Sequence, residues 1–168
     1  KKESEEMCKA SFYNRYVPGC YEHLFLHELR KTDLYLPEFS KVAILDGKIV
    51  GGIWYTKSHL ELNGQTIPLA TFGPLCVHPD YQGLGIGERL LKETLPLVKK
   101  AGFAGVIICG EPDYYPRLGF KTCDNFGITT ADGKNFDAFM GYEFEQGSLS
   151  KYSGAKFYEI DIESSLTP

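Results

Sequence analysis

A glycine-rich turn carries the clearest chemical potential in the sequence, and it reads Gln82-Gly83-Leu84-Gly85-Ile86-Gly87. Closely spaced glycines let the backbone approach a ligand without Cβ atoms in the way. A helical pattern follows the turn, and the first amides of a helix have no partner inside it. These amides and the positive end of the helix dipole suit a phosphate or a diphosphate. A second interpretation stays open, in which the glycines only form a tight turn.

Two common nucleotide-binding motifs do not fit this turn. A P-loop requires Lys and then Ser or Thr after its last glycine, whereas Gly87 is followed by Glu88 and Arg89. A dinucleotide fingerprint needs a glycine at its sixth position, and counting from Gly83 that position is Glu88. The sequence therefore favours a different class of phosphate-bearing ligand.

Two sequence blocks together resemble one known family. The first is Gln82-x-x-Gly85-x-Gly87, which follows the run Leu75-Cys76-Val77-His78-Pro79. The second, about 30 residues later, is Tyr114-Tyr115-Pro116-Arg117-Leu118-Gly119-Phe120. In this order, and separated by a helix and an apolar strand, they resemble the GNAT superfamily of acetyl-coenzyme A-dependent N-acetyltransferases. The resemblance covers roughly residues 5–162 and is close to a bacterial subgroup whose substrates are mostly unassigned.

The resemblance implies a role for each matching residue. The pyrophosphate of coenzyme A would bind to the backbone amides of the turn and to Glu88 at the helix start. The residues of the turn are Gln82, Gly83, Leu84, Gly85, Ile86 and Gly87. The backbone of Leu75, Cys76 and Val77 would pair with the pantetheine arm like an extra strand. Tyr115 would be the general acid beside the sulfur. An alternative stays open for Tyr115, since an aromatic residue before Gly-Phe is often part of a core.

The reaction that the resemblance implies moves an acetyl group from acetyl-CoA to a primary amine of a small molecule or a peptide. Direct attack in a ternary complex is expected, with no acyl-enzyme and no metal. The alternatives are a catalytically silent acyl-CoA sensor and a non-enzymatic interaction domain. Candidates for the base are known only by their proximity along the chain, and a water relay is the other interpretation; they are Glu61, His78, Glu111 and Asp113.

The sequence departs from the family pattern in three places. Residues 66–77 contain no Asp or Glu, although many members carry a carboxylate on this strand. The Asn that often follows the next strand is replaced by Gly110-Glu111-Pro112. The family's first strand should precede the first helix, and this sequence begins near that helix, so we expect that strand to be missing.

The elements that must position these residues follow from periodicity and turn signals. Apolar spacing predicts helices over Ser4–Arg15 and Tyr21–Lys31. Asp46-Gly47 and Asn63-Gly64 tolerate the positive φ angles of type I′ turns, so they predict antiparallel hairpins. The strands that these turns join are predicted over Lys41–Leu45, Lys48–Thr56, Ser58–Leu62 and Gln65–Val77.

Beyond the glycine-rich turn the pattern predicts a helix over Glu88–Ala101 that Gly102 ends. A central strand Ala104–Cys109, a short helix Tyr114–Leu118 and two last strands, Ala138–Glu145 and Ala155–Ile162, follow. With the resemblance, the predicted fold class is α/β (α+β). We expect a GNAT fold with a mixed, mostly antiparallel central sheet of about six to seven strands flanked by helices.

Composition limits the class of protein. The 168 residues fit one domain, 1–168, and a formal charge of −4 argues against a nucleic-acid binder. The window 82–121 nevertheless carries six basic and four acidic side chains, which suits an anionic coenzyme. No apolar stretch is long enough to span a membrane. Five cysteines without a C-x-x-C pair predict a reducing, cytoplasmic location, with a reactive cysteine as the alternative, and exposed terminal strands make a homodimer an expectation.

Overall fold

The fold is described from a computed structural model, which describes residues 2–6 and 33–159. Residues 2–6 are helical and overlap the start of the predicted helix Ser4–Arg15. The rest of that helix and the predicted helix Tyr21–Lys31 lie outside the described residues.

Three long strands joined by two-residue turns form the first part of the sheet. They are β1 (Tyr35–Leu45), β2 (Lys48–Leu62) and β3 (Gln65–Val77). The two turns have positive φ at both residues, 50° and 76° at Asp46 and Gly47, and 50° and 79° at Asn63 and Gly64. The predicted hairpins are confirmed. The predicted break between Thr56 and Ser58 is wrong, because β2 continues through Lys57 as one strand of 15 residues.

Helix α1 (Ile86–Lys100) follows the glycine-rich turn and continues through Pro96. Gly102 ends it with a φ of 93°, and its N–H donates to the Lys99 carbonyl. The predicted central strand is β4 (Gly105–Cys109), which is buried over its first four residues. The predicted short helix is a 3-10 helix, Tyr115–Leu118.

The last part of the described chain contains short elements. They are β5 (Lys121–Thr122), a 3-10 helix (Cys123–Phe126), β6 (Thr129–Thr130), β7 (Phe139–Glu143), a 3-10 helix (Ser150–Tyr152) and β8 (Lys156–Tyr158). The predicted last two strands correspond to β7 and β8, although the end of the second prediction, beyond residue 159, lies outside the described residues.

The strands form one mixed sheet in the order β5-β7-β4-β3-β2-β8-β6, and β1 pairs with β2. Pairing is antiparallel for β1 with β2, β2 with β8, β4 with β7 and β5 with β7. It is parallel for β3 with β4 and for β6 with β8. The mixed, mostly antiparallel architecture that was predicted is confirmed. The described strands number eight, two of which are only two residues long.

The chain divides into two compact units. The described part of the first unit comes from Lys1–Thr56 and Gly73–Pro96, and that of the second from Lys57–Phe72 and Leu97–Ile160. In the first unit, buried Ile53 and Tyr55 of β2 and buried Leu90, Leu91 and Thr94 of α1 supply much of the interior. In the second unit a core cluster joins residues of β2, β3, β4, β7 and β8 with the 3-10 helices; it includes Leu60, Leu69, Ile107, Phe139, Leu149 and Phe157.

Candidate functional site

The glycine-rich turn begins at the end of β3, where side chains fix the backbone. The His78 N–H donates to the Val50 carbonyl at 2.7 Å, which ties the end of β3 to β2. The His78 Nδ1 accepts from the Asp80 N–H at 3.1 Å and so caps the 3-10 turn Pro79–Tyr81. This ring nitrogen, in a residue that the sequence offered as a candidate base, has a structural role.

Gln82 closes the turn with its side chain. Its Nε2 donates to the Val77 carbonyl at 3.1 Å, so the side chain bridges the end of β3 and the start of the glycine-rich segment. The sequence had assigned only a backbone amide to this residue. The side-chain contact was missed because a pattern does not reveal which carbonyl an exposed amide will reach.

Gly83 and Gly85 are required for the shape of the turn. Their φ angles are 81° and 79°, a region that other L-residues rarely adopt. A β-carbon at either position would meet no heavy atom within 4 Å, so space in the folded chain is not the constraint. The backbone is accessible on the side where those carbons would lie, and the Leu84 side chain between them is 66% exposed.

The start of α1 provides amides without intrahelical acceptors. The Arg89 N–H donates to the Gly85 carbonyl at 3.0 Å and opens the helical ladder. The amides of Ile86, Gly87 and Glu88 precede that bond, so they belong to the first turn, whose N–H groups the helix leaves unpaired. They can hold an anion together with the helix dipole.

The charged side chains at this helix start are paired along the helix. Lys92 Nζ lies 2.9 Å from Glu88 Oε1, and Arg89 Nε lies 3.1 Å from Glu93 Oε1. Both pairs are exposed and contribute only tenths of a kcal/mol. The positive charge of Lys92 offsets the negative charge of the Glu88 carboxylate. The attraction for an anion at the turn therefore comes mainly from the backbone amides.

The end of β3 has backbone groups that point to either edge of the strand. The direction of the N–H alternates along an extended strand, and that of His78 points to β2. The backbone of Cys76 therefore faces β2 as well, whereas that of Leu75 and Val77 faces the other edge. In the described part of the chain, β4 pairs with β3 only through Ala70 and Val106. An extended ligand can thus form strand-like hydrogen bonds with Leu75 and Val77.

Tyr115 lies in the second unit, in an aromatic environment. Its ring centroid is 5.0 Å from that of Tyr114, 5.4 Å from that of Phe120 and 5.8 Å from that of Phe72. Phe72 and Phe120 are buried, whereas Tyr115 is partly exposed. The ring is therefore held by packing on one side, and the residue keeps access to solvent.

Gly110 makes room for that ring. A β-carbon at position 110 would lie 2.5 Å from Tyr115 Cε2 and 2.8 Å from Cδ2, closer than carbon atoms pack. This close approach explains why position 110 holds glycine in this chain and not the Asn that is common in the family. The Tyr115 ring occupies the space that the side chain of any other residue at position 110 would need.

The acidic candidates for a base lie on the surface. Glu111 and Asp113 are exposed in the loop that precedes Tyr115. Glu61 lies in β2 opposite Lys156 of β8, with its Oε1 3.4 Å from His59 Nε2. Their role as a base stays a prediction.

A metal-ligand cluster and a membrane-spanning helix are both absent from the described residues. Among them, no three His, Cys, Asp or Glu side chains cluster closely enough to hold a metal ion. No helix within the same residues has the length and apolar character needed to cross a membrane.

Comparison with known proteins adds an independent line of evidence. The sequence profile described as "Acetyltransferase (GNAT) domain" matches residues 37–122. The N-acetyltransferase YjhQ of Escherichia coli is 34% identical over 87 residues, which cover 52% of this chain and 48% of YjhQ. The chain thus spans about half of the length of that relative.

Two solved structures share the fold. A GNAT family acetyltransferase from Brucella melitensis in complex with acetyl-CoA is 28% identical, with a TM-score of 0.66 over 86% of this chain and 81% of that one. The GNAT family N-acetyltransferase YhbS of Escherichia coli in complex with CoA is 22% identical, with a TM-score of 0.74 over 94% of this chain and 84% of that one.

Proposed function

The chain belongs to the acetyltransferase (GNAT) family and has its fold, and from this premise we propose that it moves an acetyl group from acetyl-CoA to a primary amine of a small molecule or a peptide. The observation that carries the proposal is the turn between β3 and α1. Positive φ angles at Gly83 and Gly85 expose its backbone next to the unpaired amides of α1. Relatives of the same fold bind acetyl-CoA or CoA, which supports the same co-substrate here.

The residues of the turn would bind the diphosphate of the co-substrate. The amides from Gln82 to Gly87 and that of Glu88 donate to its oxygens, and the Gln82 side chain holds the turn against Val77. The edge-facing backbone groups of Leu75 and Val77 would pair with the pantetheine arm. The Cys76 backbone, which faces β2, would hold the strand in place rather than contact the ligand.

The chemical step needs a neutral amine, a polarised carbonyl and a proton for the leaving sulfur. The amine nitrogen attacks the thioester carbon, the new C–N bond forms, and the C–S bond breaks. The Val77 N–H would donate to the carbonyl oxygen as it gains charge. Tyr115 would donate its hydroxyl proton to the thiolate, and the proton that the amine loses would pass through water to the Tyr115 oxygen, which restores the hydroxyl.

Binding of the co-substrate can be tested by thermal unfolding. Acetyl-CoA at 100 times its dissociation constant should stabilise the folded chain by about 2.7 kcal/mol. A titration that leaves the melting temperature unchanged would contradict both an acetyltransferase and an acyl-CoA sensor.

Catalysis can be tested with a pair of neighbouring tyrosines. Tyr115→Phe should lower kcat on an accepted amine by roughly 10²-fold or more, since it removes the proposed proton donor. Its Kd for CoA should stay within about twofold of wild type. Tyr114→Phe is the matched control, because the Tyr114 ring meets that of Tyr115 edge to face and has no proposed chemical role. Equal losses in the two variants would refute Tyr115 as the acid, and CoA binding without transfer to any amine would favour the sensor.

A further inference from the structure

Gly51 lies in β2, outside both sequence blocks, beneath the first residue of α1. A β-carbon at this position would lie 2.8 Å from Ile86 Cγ2, 3.3 Å from the Cys76 carbonyl oxygen and 3.5 Å from Leu90 Cδ1. Carbon atoms in contact are normally about 3.5–4.0 Å apart. The Ile86 side chain and the Cys76 carbonyl therefore leave no room for a side chain at position 51.

The side chains above Gly51 have little freedom to move away. Ile86 is β-branched, so its Cγ2 is bonded directly to Cβ and can move away only by a change of χ1 or of the backbone. One turn later, Leu90 is buried at 6% exposure. One further turn along, the Thr94 Oγ1 lies 2.9 Å from the hydroxyl of Tyr55, a residue on the same face of β2 as Gly51. Because α1 is fixed at these points, a group added at position 51 would displace the first turn of the helix.

We propose that Gly51 is a positioning residue for the co-substrate, because it sets the distance of the diphosphate-binding amides from β2. This inference rests on the proposed function of the turn. The contact involves Ile86, whose amide is one of the unpaired donors, and Cys76, which lies between the two residues that would pair with the pantetheine arm. A displacement at Gly51 is thereby transmitted to both proposed contacts with CoA.

The next residue offers a matched control. Gly52 points to the opposite face of β2, where a β-carbon would overlap Trp54 Cη2 and lie 2.7 Å from Cζ2. Trp54 is buried at 2% exposure, so Gly52→Ala also strains the chain. That strain falls on the Trp54 ring and does not reach Ile86 directly.

The test measures CoA affinity by calorimetry for wild type, Gly51→Ala, Gly52→Ala, Ile86→Leu and the double variant Gly51→Ala/Ile86→Leu. Gly51→Ala should raise the Kd about tenfold, whereas Gly52→Ala should change it by at most about twofold. Ile86→Leu removes the branching methyl that the added group would meet. The double variant should therefore bind CoA within about threefold of Ile86→Leu alone.

Steady-state kinetics separate a positioning role from a general loss of structure. Gly51→Ala should raise the KM for acetyl-CoA and leave kcat at saturation within about twofold. An unchanged Kd for Gly51→Ala, equal losses in both glycine variants, or no recovery in the double variant would each overturn the inference. If Gly51→Ala does not fold, the double variant Gly51→Ala/Ile86→Ala carries the test, and failure to recover folding and CoA binding to the level of Ile86→Ala alone would overturn the inference. A wild-type chain that does not bind CoA would instead refute the proposed function.

Discussion

The Tyr115 ring and the backbone of Gly110 touch so closely that the identity of one residue constrains the other. The rings of Phe72, Phe120 and Tyr114 also pack against it, and the residue stays partly exposed. A side chain at position 110 would therefore push the ring and its hydroxyl out of place. In proton transfer a displacement of about 1 Å can cost about a hundredfold in rate.

Gly110→Ala should accordingly lower kcat by roughly 10- to 100-fold and leave the Kd for CoA nearly unchanged. The measurement is a double-mutant cycle with Tyr115→Phe. If Gly110 acts through the Tyr115 hydroxyl, then Gly110→Ala should have little additional effect in the Tyr115→Phe background.

Gly141→Ala is the control for this cycle. It lies in β7 of the same unit, and its added group would meet Phe126, Leu149 and Ile107 at 3.1–3.4 Å without touching Tyr115. It should lower stability but not kcat. Fully additive effects of Gly110→Ala and Tyr115→Phe would show that Gly110 does not work through the hydroxyl.

The roles of residues within a short motif could be predicted from the sequence. The roles of residues that depend on neighbours far along the chain could not. Positive φ at Gly83 and Gly85 follows from local turn chemistry. The requirement at Gly51 depends on Ile86, which lies 35 positions later in the chain. A Gly-Gly pair inside a strand pattern was the one available signal, since glycine there often marks a close approach of backbone.

At the scale of elements, α1 is held to β2 by a buried hydrogen-bond chain. The Thr94 hydroxyl donates to the Leu90 carbonyl at 2.7 Å, so the Tyr55 hydroxyl must be the donor to Thr94. Both residues are fully buried. Burial raises the pKa of Tyr55 well above its ordinary value. Tyr55 therefore stays neutral and donates throughout the physiological pH range.

Thr94→Val should lower the free energy of unfolding by about 1–3 kcal/mol, because it removes the oxygen that accepts the hydrogen bond of the buried Tyr55 hydroxyl. Tyr55→Phe should cost less, about 0.5–1.5 kcal/mol, since Thr94 can still donate to Leu90. Urea unfolding of both variants and of the double variant measures the difference. In the double variant the loss should be smaller than the sum of the two, and strict additivity would argue against a coupled pair.

Elements set by local chemistry were predicted well, and irregular ones were not. The hairpins follow from Asp46-Gly47 and Asn63-Gly64. In β1, however, four residues between Leu36 and Lys41 lie opposite a single residue of β2. There the Ser40 hydroxyl accepts from the Tyr55 N–H at 3.0 Å and replaces a backbone carbonyl. This bulge depends on a partner strand, so periodicity within β1 could not reveal it.

At the scale of the whole molecule, the Glu143 carboxylate contributes to stability against acid. Burial by itself would raise the pKa of Glu143, but hydrogen bonds from the Ser150 hydroxyl and from the amides of Ser150, Leu149 and Gly147 lower it to about 2. The folded pKa thus lies below the ordinary value of 4.5. The stabilisation from this group is complete above about pH 4.5 and is lost as the pH falls from there towards 2.

Glu143→Gln should therefore lower the free energy of unfolding by roughly 1 kcal/mol at pH 7, a value discounted because the carboxylate is partly exposed. The gap to wild type should shrink between pH 4.5 and 2, as measured by urea unfolding at several pH values. Glu145→Gln is the control, since its exposed carboxylate pairs with Lys99 at 3.0 Å and should contribute less than about 0.5 kcal/mol. A constant gap from pH 7 to 2 would contradict the role of Glu143.

The strand order of the sheet shows the limit of sequence reasoning at this scale. Apolar runs identified β4 and its buried character, and turn signals identified β1 to β3. The placement of β8 between β2 and β6 had no local signal, because three residue pairs, from His59–Tyr158 to Glu61–Lys156, define it. The two-residue strands β5 and β6 were missed for the same reason.

The pairing of β2 with β8 also affects how the chain is made. His59 to Glu61 meet strand partners that lie about a hundred residues later. During synthesis the hairpins of β1 to β3 can form soon after they leave the ribosome, because their turns are only two residues long. That edge of β2 therefore has no strand partner until β8 has left the ribosome. Until β8 has emerged, the nascent chain is exposed to wrong edge-to-edge association along this part of β2.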